Sequence, residues 1–327
     1  MNKEKSYINK ESIVFILLLS FVISCTKMEM QDGQLVSEMS FGDMIICTAE
    51  KYMSLSPAKG EAQGSACFGD YFVQGYNSNN CITIYNIRNK TLLTTINILS
   101  PIPSLKTHVN TINFGLQRFS SEDYFPLLYI SSGYATDDIS FIYVYRLNRV
   151  FTDGHEDFSI SRVQTISLCH FGSWTEGIVD DQTNSLWVKY EKPYSYCYGR
   201  YDLPLLENKD ISIYREDSIV CFEMDKKPEG SRNQGHMCWD GKIILVTGVP
   251  SANEDLALIS IDVKSGKRDY IIDLAEIGLI NPENPADNSF EPEGVVVYNG
   301  QLMICYRKAI FILHIERVEN DANYIVC

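Results

Sequence analysis

The chain has 327 residues and a formal net charge of -14, with 45% hydrophobic and 12% aromatic residues. That length can bury a sizeable core, and so acidic a surface makes a poor partner for nucleic acid or any other polyanion. Neutral glycans, cationic ligands and divalent metals stay open.

The N-terminus carries Lys3, Lys5 and Lys10, then the apolar run 13–23, then Ser24 and Cys25. A charged, an apolar and a small-residue segment in that order form a secretory signal, and the run is too short for a permanent transmembrane helix. Val22, Ile23, Ser24 and Cys25 resemble the bacterial lipobox. The resemblance implies that Cys25 is diacylated and becomes the first residue of the mature chain. Several acyl chains on one cysteine anchor stably, since each buried methylene contributes about 0.8 kcal/mol. The expected organisation is a signal peptide over 1–24, a lipidated cysteine and tether over 25–36, and a single domain over 37–327. Loss of three lysines and two glutamates with the signal leaves -15 on the mature side chains. The expected location is the bacterial envelope, lipid-anchored at the outer membrane and facing either the periplasm or the cell surface.

Within the domain, an amide or acid followed at once by glycine opens a β-rich stretch four times: Gln63-Gly64, Glu176-Gly177, Gln234-Gly235 and Glu293-Gly294. The last three lie about sixty residues apart, as in a repeated supersecondary unit. Three of these openings run for a few strand-like residues into a turn with glycine beside aspartate or asparagine, at Gly69-Asp70, Asp240-Gly241 and Asn299-Gly300. Second apolar runs follow at 70–74, 186–190, 242–246 and 302–306, and third runs at 81–85, 141–145, 257–261 and 309–314. Fourth runs stand at 91–98, 162–168 and 268–274. All are short, rich in β-branched and aromatic residues and bounded by turn formers. A further unit lacks the dyad but aligns Asn110 to Gly115 with Gly64 to Gly69, and continues into the strand 127–131.

Five units of about four antiparallel strands predict an all-β fold, a five-bladed β-propeller that closes its ring by combining both chain ends in one blade. Either 44–49 or 323–326 can supply the missing outer strand of the last unit. An irregular β-sandwich or two stacked β-domains would use the same strands and turns. Residues 37–53 form the one plausible helix.

Ten cysteines include Cys25 and leave nine, an odd number that cannot all pair within one chain. Most lie inside apolar strand runs and no Cys-x-x-Cys occurs, so buried thiols acting as small hydrophobes are expected. One disulfide involving Cys47 or Cys327 stays open.

In a propeller the first strand of each blade lines the axis. The aligned dyads would therefore bring Gln63, Glu176, Gln234 and Glu293 to one mouth, with His108 and Asn110 from the second unit and His236 from the fourth. Such a cage could bind a ligand, or a divalent metal such as calcium through Glu176 and Glu293, with the histidines favouring zinc. Alternatively, the glycines serve close approach of the inner strands and the amides satisfy backbone groups. Glu176 and Glu293 could also form a glycosidase pair if the blades brought them close enough. The tyrosines Tyr190, Tyr194, Tyr196, Tyr198 and Tyr201 suit sugar faces or protein partners, or packing between blades.

Thr175-Glu176-Gly177 and Pro292-Glu293-Gly294 resemble the Glu-Gly openings of gluconolactonase-type propellers, which implies a glutamate as divalent-metal ligand with a nearby aspartate as base. The Gln-Gly openings and the five-unit count are similar to helveticin-type and lectin-like propellers, which implies binding at cell surfaces. Two functions follow as expectations. One is a lipid-anchored extracytoplasmic propeller binding a glycan, a surface protein or another envelope or host-derived ligand at the axial mouth. The other is a metal-dependent hydrolase of lactonase, esterase or phosphatase type using Glu176 and Glu293 with His236 or His108.

Overall fold

The computed structural model describes residues 30–31, 34–35, 44–55, 61–77, 81–98, 109–136, 138–172, 174–180, 182–192, 195–224 and 231–318. Cys25, His108, Tyr194, Cys327 and the signal lie outside these residues, as does the rival closing strand 323–326. Met30–Gln31 pairs antiparallel with Gln34–Leu35, and residues 47–315 form a separate unit.

That unit is a five-bladed β-propeller. Blade one runs from its inner strand Ala62–Phe68 through Tyr71–Tyr76 and Cys81–Asn86 to its outer strand Thr91–Asn97. Blade two comprises Val109–Phe114, Leu128–Thr136, Ile139–Thr152 and His155–Cys169. Glu176–Val179, Ser185–Lys192, Ser195–Asp202 and Val220–Glu223 make blade three, and Asn233–Trp239, Lys242–Thr247, Ala257–Asp262 and Arg268–Asp273 make blade four. In blade five, Pro292–Tyr298, Gln301–Tyr306 and Ala309–Val318 are completed by Met44–Ser54 as the outer strand. The inner strands touch in chain order and the fifth touches the first, so the ring closes.

The expected helix over 37–53 gives way to that outer strand in its described part, 44–53. Its Met-Ile-Ile-Cys start is β-prone, and pairing with Ala309–Val318 satisfies a sheet edge that no other described strand covers. Two features had no counterpart in the sequence reading. The hairpin of blade two is long, with Thr152 still paired to His155 at its tip. Asp210–Tyr214, from the link within blade three, adds in parallel to the outer edge of blade two.

Inner and middle strands are buried on both faces, which explains their near-continuous apolar runs. Val73, Ile84, Ile244 and Ile304 each sit in such a strand and are almost wholly buried. Outer strands are more solvated, as in Thr91–Asn97, whose positions are all exposed or half-buried. The core is divided into wedges, one at every blade-to-blade interface: Ile84 with Ile130, Ile142 with Val188, Trp187 with Ile243, Ile244 with Ile304, and Phe72 with Met303. Tyr196 and Tyr198 are fully buried in the wedge between blades three and four, and Tyr190 and Tyr201 in that between blades two and three, so these rings serve packing. The described cysteines are free thiols, most of them buried. At Asp240-Gly241 and Asn299-Gly300 both residues take positive φ, the two-residue hairpin turn that the repeat encodes. Among the described residues no helix is long and apolar enough to cross a membrane.

Candidate functional site

The dyads open the inner strands, and the pairing shows what they do there. In blades one, two, four and five the register slips at this point: between Ala62 and Ser65, Val109 and Thr111, Asn233 and Gly235, and Pro292 and Gly294. Gln63, Asn110, Gln234 and Glu293 are thus β-bulge residues, and a bulge redirects its side chain while increasing local twist. Glu176 differs, pairing in register with Lys189.

In blades one, four and five the glycine beside the bulge is a packing requirement. A Cβ on Gly64 would lie 2.5 Å from the Asn110 carbonyl oxygen, one on Gly235 would lie 2.7 Å from the Gly294 Cα, and one on Gly294 would lie 2.2 Å from Ser65 Oγ. Backbones of neighbouring inner strands therefore touch at the axis. The mouth is a closed hub: every described residue assigned to it is buried, Gln234 being the most exposed at 8%.

Two separate polar networks fill this end of the hub. In the first, Glu176 Oε1 accepts a hydrogen bond from Asn110 Nδ2. Its Oε2 accepts from Thr111 Oγ1 at 3.1 Å and from Asn233 Nδ2 at 2.9 Å, and lies 3.2 Å from His236 Nδ1. Burial raises the Glu176 carboxyl above its ordinary range, against the pull of Lys189 and the amide. Burial, with Lys189 nearby, pushes the His236 imidazole well below its usual value. Both shifts favour neutral partners, and one proton between Oε2 and Nδ1 satisfies the two. Lys189, almost wholly buried, donates to Glu191 at 2.8 Å and to the Trp174 carbonyl at 3.3 Å, and its Nζ lies 5.1 Å from the Tyr196 ring centroid.

The second network centres on Arg307, in the turn after the second strand of blade five. Its Nε donates to Glu293 at 2.8 Å, one terminal nitrogen to Glu61 at 3.2 Å and the other to Glu291. Gln234 Nε2 donates to the remaining oxygen of Glu291 at 2.7 Å. Three carboxylates around one guanidinium leave excess negative charge. Burial and Glu291 push the Glu293 carboxyl well above its ordinary value despite Arg307. Its Oε2 has no protein partner, so Glu293 is the natural holder of a proton.

The structure thus brings Asn110, Glu176 and His236 together, and Gln234 with Glu293 through Glu291 and Arg307, without joining the two carboxylates of the expected pair. Gln63 belongs to neither network: its carbonyl accepts from Gln74 and its side-chain oxygen is buried without a protein partner. Sequence reasoning missed Thr111, Asn233, Lys189, Glu61, Glu291 and Arg307. A signal existed for two of them, since Lys189 breaks the apolar run Leu186-Trp-Val-Lys-Tyr190 and Asn233 directly precedes a dyad.

The donor set does not suit a divalent cation. The Glu176 oxygens already receive N–H and O–H donors, and Glu293 pairs with a guanidinium. Among the described residues no three His, Cys, Asp or Glu side chains converge as a metal-holding group. The expected ligation by Glu176 and Glu293 is not what this geometry favours.

The sequence matches no protein-family model and none of the curated proteins. Among solved structures, the chain is similar to glutaminyl cyclase from Myxococcus xanthus, at 11% identity over 84% of this chain and 98% of that one, with a TM-score of 0.48. It is also similar to the PQQ-bound aldose sugar dehydrogenase of Streptomyces coelicolor, at 10% identity over 84% and 100% of the two chains, TM-score 0.45. A streptogramin B lyase gives 12% identity over 83% and 98%, TM-score 0.41.

Proposed function

We propose that the protein is a lipid-anchored, extracytoplasmic binding propeller that takes a neutral glycan on the rim of its axial mouth. The observation that carries this reading is the Arg307 network. It runs from the buried Gln234 and Glu293 out to Glu61, whose side chain is 57% exposed. Carboxylates, an amide and a guanidinium held in fixed orientation are the donors and acceptors that recognise hydroxyl groups. Because the hub is closed, the ligand sits on the rim, and the buried residues orient those that touch it. The metal-dependent hydrolase reading loses support from the occupied carboxylates.

Binding of a panel of neutral oligosaccharides to the mature chain, followed by calorimetry, tests the proposal. Saturable binding that weakens in Arg307→Ala and Glu61→Gln supports it. A parent protein that binds no member of the panel overturns it. Anchoring is tested separately: Cys25→Ser is expected to move the protein from the detergent-extracted membrane fraction to the soluble fraction.

A further inference from the structure

Exposed apolar side chains gather at the end of the propeller opposite the mouth. Of the thirteen large hydrophobic residues exposed among the described ones, Leu116, Phe119, Tyr124, Val150 and Phe151 belong to blade two, in the turn after its inner strand or in its long hairpin. Tyr145, opposite Leu128, is the last residue of the third strand to pair with the second, so 146–152 and 155–161 project past the sheet as a two-stranded ribbon. Val150 and Phe151, near its tip, are 56% and 60% exposed. Single exposed hydrophobics are ordinary, but a group of them marks a contact surface. Its rings are held in place. The Arg149 guanidinium lies 3.7 Å from the Tyr124 ring centroid and 4.8 Å from that of Phe151, and it donates to the Tyr71 hydroxyl. Arg146 lies 4.9 Å from the Phe119 centroid. Asp123 pairs with Arg146 and Glu156 with Arg149, so the charges are neutralised within the cluster.

The same end receives the N-terminal segment. Tyr298 donates to Asp70 at 3.1 Å and Tyr71 to Glu156 at 2.7 Å, so the turns after the inner strands of blades five and one share a side with the blade-two hairpin. In blade five the Leu55 amide donates to the Lys308 carbonyl at 2.8 Å, and Glu50 lies 4.0 Å from His314. The outer strand is therefore antiparallel to the third and enters at Cys47 on the turn side, where Tyr52 donates to the Ile87 carbonyl at 3.2 Å. Cys47 follows Cys25 by 22 positions, a reach of at most about 75 Å. A bilayer holding Cys25 thus meets this end, with the mouth turned away. We infer that the hairpin and turn of blade two form a second, apolar contact with that lipid surface, with Phe119, Tyr124, Val150 and Phe151 entering the boundary between headgroups and acyl chains. Aromatic and aliphatic side chains with arginines at their margin suit that boundary. This inference rests on the lipid anchoring proposed above and deepens it by fixing how the propeller faces the membrane.

The test floats the mature chain carrying Cys25→Ser, which has no acyl chain, with vesicles of phosphatidylcholine alone. Binding is expected, and at equal strength in low and high salt because the charges of the patch are paired. Phe119→Ser combined with Phe151→Ser is expected to weaken it about tenfold through lost apolar burial. Both side chains are exposed, so the melting temperature should stay that of the parent. In the lipidated protein, a tryptophan introduced as Phe151→Trp is expected to be quenched by acyl-brominated lipid, unlike the parent's own tryptophans. No vesicle binding by the unlipidated chain, or a double variant that binds as the parent does, overturns this inference and leaves the Cys25 anchor standing. Binding that requires anionic lipid and vanishes in salt overturns the apolar contact. A dimer that the same two substitutions dissolve overturns the lipid assignment in favour of a second copy of the chain. A parent protein found in the soluble fraction of cells overturns the anchor and this inference together.

Discussion

Gly294 of blade five lies directly against Ser65 of blade one, so close that a methyl group on it would reach within 2.2 Å of the serine hydroxyl oxygen. Gly235 meets backbone in the same way, with the Gly294 Cα 2.7 Å from where its Cβ would stand. Gly235→Ala cannot be relieved by rotating a side chain and is expected to cost about 3 kcal/mol, the upper range for overpacking. Gly300→Ala has open space around it and a φ of +75°, so only the backbone preference is lost, about 1–2 kcal/mol. Urea unfolding of the two variants checks the order; equal losses would remove the close-packed hub.

Arg307 neutralises carboxylates that have little water. Arg307→Ala is expected to destabilise the protein by about 3 kcal/mol near neutral pH, since breaking a buried pair strands the partner's charge. The loss should shrink on acidification as Glu291 and Glu293 take up protons. Thermal melts of the variant and parent at pH 5 and pH 8 measure this, and a loss independent of pH would contradict the assigned network.

Glu293 adds a pH dependence of defined sign. Its folded pKa is raised above 4.5 by burial and by Glu291, so the folded state keeps a proton that the unfolded chain releases. The stabilisation is complete below about 4.5 and fades as pH rises through the folded value. Glu293→Gln is expected to flatten that decline, which a stability profile from pH 4 to 8 would reveal.

His236 acts in the opposite sense. Burial holds its folded pKa well below 6.5, so stability is present above 6.5 and lost as pH falls and the unfolded imidazole takes a proton. His236→Gln should remove this acid-side loss. The two opposing slopes overlap between roughly 4.5 and 6.5, so the single variants, rather than the parent profile, separate them.

Dialysis against a chelator is expected to leave the melting temperature within about 1 °C, because no donor set at the described hub favours a cation. A chelator-induced fall larger than the few degrees that about 1 kcal/mol represents would point to a cation site elsewhere in the chain.

The architecture was readable because each blade repeats a local instruction. Asp240-Gly241 and Asn299-Gly300 specify hairpin turns, and the doubly buried strands between them leave an uninterrupted apolar signal. Gln63, Gln234 and Glu293 were found through the glycine that follows each of them, although that glycine reports close packing and a bulge rather than an open mouth. Partners supplied from a distance stayed hidden. Nothing near Glu293 in sequence announces Arg307, and Glu176 reaches Lys189 only through strand pairing. The parallel addition of Asp210–Tyr214 to blade two was illegible for the same reason: a short strand carries no mark of the edge it will cover. In its described part, 44–53, the helix expected over 37–53 is replaced by a strand, because the β-prone start pairs with a distant edge that the local sequence does not announce.

Blade five is assembled from opposite extremes of the propeller, with Met44–Ser54 laid beside Ala309–Val318. A chain emerging from the ribosome delivers the first of these strands long before its partner exists, so the circle stays unclasped until synthesis is nearly finished. A shortened product ending before residue 309 would carry an orphaned leading strand, an obvious handle for chaperones and proteases to recognise.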